Sequence, residues 1–124
     1  MSNIKKYKID WDWKAEIHIE IDHDIATGEM LHEINSFWGN DKYRVTKEGS
    51  VLNAVLKMLA REAFYIAYCN DYNTFGVVSA FDYDDKYNNC DTEGWPKMDG
   101  SAGFKITRCE TFSMETSDMT IKEG

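Results

Sequence analysis

Between Tyr7 and Asp22 the chain alternates its side chains so regularly that little besides a half-buried strand can accommodate it. Tyr7, Ile9, Trp11, Trp13, Ala15, Ile17, Ile19 and Ile21 hold the odd positions; Lys8, Asp10, Asp12, Lys14, Glu16, His18, Glu20 and Asp22 hold the even ones. A period of two gives a sheet one dry face and one wet face. The run is longer than a usual strand, so it implies one long bent strand or a hairpin. Parity then restricts the turn. A two-residue loop at Trp13 and Lys14 would set apolar side chains opposite charged ones, whereas an odd-length loop such as Trp13 to Ala15 keeps the apolar face continuous. The expectation is a hairpin with strands near residues 4 to 12 and 16 to 22, its turn marked by neither Gly nor Asn.

The period changes after Asp22. Met30, Leu31, Ile34, Phe37 and Trp38 recur at helical spacing, with Thr27 placed as an N-cap and Gly39 just past the end. A longer helix begins near Ser50. Val51, Leu52, Val55, Leu56, Leu59, Ala60, Ala63, Phe64 and Ala67 cover most of its circumference and leave Asn53, Lys57 and Arg61 as the polar stripe. So narrow a wet face predicts packing on two sides, against the sheet and the first helix. "FGVVSAFDYD" reads as a strand through Val77, Val78, Ala80 and Phe81, and residues 84 to 103 as a loop. "FKITRCETF" alternates as a further strand, and "DMTIK" adds a short last one with Met119 and Ile121 facing inward. The order β-β-α-α-β-β predicts an α+β fold: an antiparallel sheet of four to five strands with two helices on one face.

At 124 residues, 43% hydrophobic and 29% charged, the chain fits one globular domain, residues 1 to 124. Net charge is −8. Binding to a phosphate backbone needs clustered Lys and Arg, so direct nucleic-acid binding is disfavoured. Cys69, Cys90 and Cys109 are odd in number and show no metal spacing, which suits reduced thiols in a cytoplasmic protein. The N-terminus has no apolar run of the signal-peptide kind, and Lys57, Arg61 and Glu62 interrupt the most apolar segment, so no membrane span is expected.

Signatures of chemistry are sparse. "HEIN" at 32 to 35 lacks the second histidine that a zincin helix needs, and no phosphate-binding glycine loop or nucleophile elbow is present. Asp22, His23 and Asp24 stand at a strand-to-helix junction. A carboxylate–histidine pair there could serve acid–base catalysis, but Asp in such places ordinarily shapes the turn. The acidic stretch 82 to 93 suggests a calcium loop without the EF-hand register, so a solvated loop is the simpler reading. Cys109 is expected on the strand face opposite Phe104 and Ile106, as a structural thiol. No metal or cofactor is implied.

"GWPKMDGSAGF" concentrates the chain's only proline with three glycines. Pro96 stiffens the corner at Trp95, and Asp99 and Gly100 have the chemistry of a turn. Either Trp95 closes one end of the core, or the loop presents Trp95, Met98 and Asp99 to a partner. "IDHDIATGEMLHEINSFWGN", "GSVLNAVLKMLA", "EGWPKMDGSAGFKIT" and "DMTIK" together resemble an uncharacterised family of small phage and prophage proteins, the domain of unknown function 2528. That resemblance implies a phage-borne accessory gene acting in the bacterial cytoplasm, and it brings no catalytic residues. The resulting expectation is a non-enzymatic protein that binds a host or phage protein. The alternatives are a small-molecule or nucleotide binder with its pocket between sheet and loop, and a small enzyme using Asp22, His23 and Asp24. The N-terminal ribbon could also pair across a homodimer.

Overall fold

A computed structural model describes residues 3–12, 15–70, 72–82, 94–111 and 119–123. The order is β1 (Ile4–Trp11), β2 (Ala15–Asp22), α1 (Gly28–Ser36), α2 (Asp41–Glu48), α3 (Val51–Asn70), α4 (Thr74–Ala80) and β3 (Phe104–Thr111). The strands form an antiparallel sheet in the order β1-β2-β3. The α+β class and the N-terminal hairpin are as expected; the element order and strand count are not.

The hairpin obeys the parity argument. Trp11 pairs with Ala15 and Ile9 with Ile17, so odd faces odd and the loop has odd length. Asp12 takes a positive φ of 42° to make the turn, the left-handed conformation for which Asp and Asn are the best non-glycine residues. Ile17, Ile19 and Ile21 are wholly buried, and Ala15 nearly so. The even side of the sheet stays wet and is laced by ion pairs, Lys8 to Glu16 at 2.8 Å and Lys6 to Glu20 at 3.8 Å.

Two expected strands are not strands. Residues 74 to 80 form α4 instead. Asn73 caps it, its side-chain oxygen accepting from the Gly76 amide at 2.9 Å, and Val77, Ala80 and Phe81 fall on one buried helical face. The run had too few apolar residues to tell a period of two from 3.6, and the N-cap was the deciding signal. In the tail, residues 119 to 123 belong to no strand, and Met119 and Ile121 are exposed. An inward-facing last strand is therefore corrected, and the described sheet has three strands.

Among the described residues, four helices stand where two were expected. α1 begins as read, with Thr27 Oγ1 accepting from the Met30 amide at 3.3 Å. α2 buries none of its residues, so no hydrophobic periodicity announced it. It is held by polar bonds instead. Arg44 donates from Nε to Asn35 Oδ1 at 2.9 Å and from Nη2 to the Asn35 carbonyl at 2.7 Å, and it also reaches the Trp38 and Gly39 carbonyls. Asn35, buried, donates in turn to the Asp41 carbonyl at 3.0 Å. One guanidinium thus satisfies the carbonyls left over where α1 ends. α3 packs as predicted, its Val55, Leu59, Ala63 and Ala67 face buried in the core with the sheet.

β3 departs from simple alternation. Ile19 pairs with Ile106 but His18 pairs with Arg108, so Thr107 is the extra residue of a β-bulge. The bulge reverses parity, and Cys109 lands on the same buried face as Phe104 and Ile106 rather than opposite them. Burial, with Glu110 beside it, pushes the Cys109 thiol up to about 11.

Three outcomes are expected. Arg44→Ala should cost about 2 kcal/mol in urea unfolding, because it strips charged hydrogen bonds and leaves the Asn35 Oδ1 without the donor it has from Arg44. Alkylation at neutral pH should label exposed Cys69 and spare Cys109 until the protein unfolds, as read by mass mapping. The raised Cys109 value also has a sign. The unfolded thiol ionises near 9.0 and the folded one near 11, so the contribution is intact below pH 9 and is lost between pH 9 and 11. Cys109→Ser should flatten that part of the stability–pH curve.

Candidate functional site

The segment singled out by its Pro and Gly content turns out to be an edge cover. Gly100 donates to the Phe104 carbonyl at 2.7 Å, Ile106 donates to the Met98 carbonyl at 3.1 Å, and Asp99 bridges Lys105. Residues 98 to 100 therefore fold back onto the outer side of β3. Asp99 Oδ1 accepts from the Ser101 amide at 2.9 Å and from its hydroxyl at 2.6 Å, which holds the Asp99 carboxyl below its usual value. Gly100 supplies the positive φ of 98° that the turn requires.

Of the three residues considered for binding, Trp95 and Met98 are buried and only Asp99 is exposed. Trp95 lies 5.0 Å from the Trp38 ring and 6.4 Å, edge-on, from Phe81. It joins the end of α1 to the end of α4 and fills the core between them. Gly103, at φ 93°, passes so close to the turn after β2 that an added Cβ would sit 2.8 Å from the Ala26 amide nitrogen.

The other end of the β3 edge is closed by a side chain. Thr74, at the start of α4, accepts from the Cys109 amide at 3.0 Å and donates to the Cys109 carbonyl at 3.4 Å. This closure explains why α4 lies where it does.

The opposite edge is different. The His23 amide donates to the Asn3 carbonyl at 2.9 Å, in register with the hairpin, so the odd residues of β1 bond to β2. The even residues Ile4, Lys6, Lys8 and Asp10 then direct their backbone N–H and C=O groups outward. Among the described residues no strand receives them. The inner side of β1 is also incompletely covered. Tyr7 and Ile9 are half-buried, and Trp11 is 47% exposed although it stacks on Phe64 at 6.4 Å.

The Asp22–His23–Asp24 cluster is a turn. Asp22 Oδ1 accepts from the Asp24 amide at 3.0 Å and from the Asn3 amide at 3.3 Å, so Asp22 shapes the junction. His23 Nε2 is 2.8 Å from the Tyr7 hydroxyl. The described contacts give this histidine a phenol for a neighbour and pair it with no carboxylate. Among the described residues, no group of three or more His, Cys, Asp or Glu could hold a metal ion, and no helix is long and apolar enough to cross a membrane. The acidic stretch beyond Asp82, with Cys90, lies outside the described residues.

Sequence reading missed the exposed aromatic residues Tyr65, Tyr68, Tyr72 and Phe75. The signal was available: the stripe through Lys57 and Arg61 reaches Tyr65 at the next step of four.

A family model described as "Protein of unknown function (DUF2528)" matches residues 16–121. The chain is 57% identical over 123 residues to "Protein ea10" of Escherichia phage lambda, covering 98% of each chain. The same identity and coverage relate it to "Lambda prophage-derived protein ea10" of Escherichia coli O6:H1. No solved structure matches.

Gly103→Ala should destabilise the fold by roughly 2 kcal/mol or more, from the clash with Ala26 and the disfavoured φ together. Chemical denaturation reads this directly, and loss of the Trp95 fluorescence environment should accompany it.

Proposed function

The chain belongs to the DUF2528 family of phage and prophage proteins of unknown function, and from that premise we propose that it is a non-enzymatic accessory protein that binds a host or phage protein in the bacterial cytoplasm. The observation that carries this reading is the asymmetry of the sheet edges. The β3 edge is closed twice, by residues 98 to 100 and by Thr74, while the β1 edge presents its backbone groups outward beside a half-exposed Trp11. An extended segment of a partner would add a strand there, its backbone supplying affinity and its inward side chains covering Tyr7, Ile9 and Trp11.

The edge is also selective. Lys5, Lys6 and Lys8 give β1 a cationic margin, a common device against promiscuous edge pairing. In a two-fold pairing of β1 with itself, a register centred on Lys8 sets lysine opposite lysine, whereas one centred on Ile9 sets Lys8 of each copy opposite Asp10 of the other. A strand bearing carboxylates on its outer face suits the lysines of this margin. The Trp95 loop contributes by rigidity: it seals one edge, so that pairing is directed to the other.

Lys6→Pro tests this. The Lys6 amide points outward, so proline removes a donor that the fold does not use. The variant should melt within a few degrees of the parent. Affinity capture from phage-infected cells, compared by mass spectrometry, should recover a partner with the parent chain and lose it with Lys6→Pro. Equal capture by both would rule out the β1 edge, and repeated capture of nothing by the parent would rule out the binding role.

A further inference from the structure

The β1 margin changes sign along its length. Lys6 and Lys8 lie in its first half, Asp10 near its end and Asp12 in the turn beyond. On the dry side Tyr7 and Ile9 are half-buried, and Trp11 is half-exposed above Phe64. A strand that runs from cationic to anionic is matched by the same strand reversed. The two-fold registers centred on residues 7 to 10 all keep dry side opposite dry side, and all bring the outward backbone groups of the even residues together. Charge separates them. Centred on Tyr7, Lys6 meets Lys8; centred on Lys8, that lysine meets its own copy; centred on Asp10, carboxylate meets carboxylate. The register centred on Ile9 has no like-charged pair, and it sets Lys8 of each copy opposite Asp10 of the other.

We propose that a second copy of the chain occupies this edge when no partner does, the two β1 strands pairing antiparallel about a two-fold axis at Ile9. The axis falls where the backbone allows it. Ile9 bonds inward to β2, so the two Ile9 residues make a non-hydrogen-bonded pair, the kind whose side chains approach most closely. Lys8 and Asp10, on either side of it, direct their N–H and C=O groups outward and exchange both bonds across the contact. The Lys8 ammonium keeps its bridge to Glu16 at 2.8 Å and has donors to spare for the Asp10 carboxylate of the other copy. On the dry side Tyr7 of each copy lies opposite Trp11 of the other, which extends apolar cover over the Ile9 pair. Such a contact is isologous and closes at two copies. Because the β3 edges are already sealed, the joined sheet has no open edge among the described residues to recruit a third. Release of this pairing by a partner strand rests on the reading of β1 as the partner site; the self-pairing does not.

Sedimentation equilibrium of the full chain, from micromolar to sub-millimolar concentration, is the direct test. The parent chain should be a dimer. Lys8→Asp sets carboxylate opposite carboxylate and Asp10→Lys sets ammonium opposite ammonium, so each should weaken association at least tenfold. Mixed in equal amounts, the two variants should pair with each other, because both contacts beside the axis then join opposite charges. Both variant chains remain net acidic, so overall charge does not draw them together, and no loss of folding could mimic the recovery. Thermal melts confirm that each chain is folded. A parent chain that stays monomeric throughout overturns the self-pairing and leaves capture of a partner at β1 untouched. A dimer that neither variant weakens overturns it as well, and so do weakened variants that fail to pair when mixed. An intact dimer that captures nothing from infected cells overturns the partner reading alone.

Discussion

The fold depends on one dry face, the four apolar side chains that β2 turns toward α3. β2 is the strand paired on both sides, and Ala15, Ile17, Ile19 and Ile21 are the positions against which the other elements assemble. Burying each isoleucine is worth about 2 kcal/mol, and a slip of one residue would expose all of them together. That penalty fixes the register of β1 through the odd-length turn. It also explains the irregularity of β3, where the bulge at Thr107 brings Cys109 onto the buried face beside Ile106.

With the register settled, most of the unusual sequence serves to close the fold. The Pro- and Gly-rich segment seals an edge and seats Trp95, and the α4 cap presents Thr74 to the same edge. Arg44 fastens a helix that has no apolar face of its own. These are polar and conformational devices, each satisfying backbone groups that would otherwise be left without partners. Their combined effect is to leave chemistry exposed in two places, the outer groups of β1 and the aromatic stripe of α3.

Local alternation and spacing made the hairpin, α1, α3 and the start of β3 legible, because each carries its period in its own residues. The turn at Asp99 and Gly100 was legible for the same reason. α4 was not, since a run of its length fits either period and only the capping bond from Asn73 separates them. α2 was not, since its stability comes from Arg44 contacts with residues that precede it by up to nine positions. Of the residues considered as a site, Trp95 and Met98 are buried and Asp99 is exposed, and composition alone does not distinguish a presented side chain from a buried one.

The sequence by itself determined the α+β class, the parity of the first hairpin, the family and the presence of a stiff double turn before Phe104. Those properties follow from side-chain period, turn chemistry and similarity, all of which act within short stretches of chain. Only the tertiary structure decided the parity of Cys109, the burial of Trp95 and the difference between the two sheet edges. Each depends on which distant groups meet: a bulge facing His18, a tryptophan ring between α1 and α4, and a threonine hydroxyl on a strand 35 residues away. Contacts of that kind are set by how the elements pack, and no local period records them.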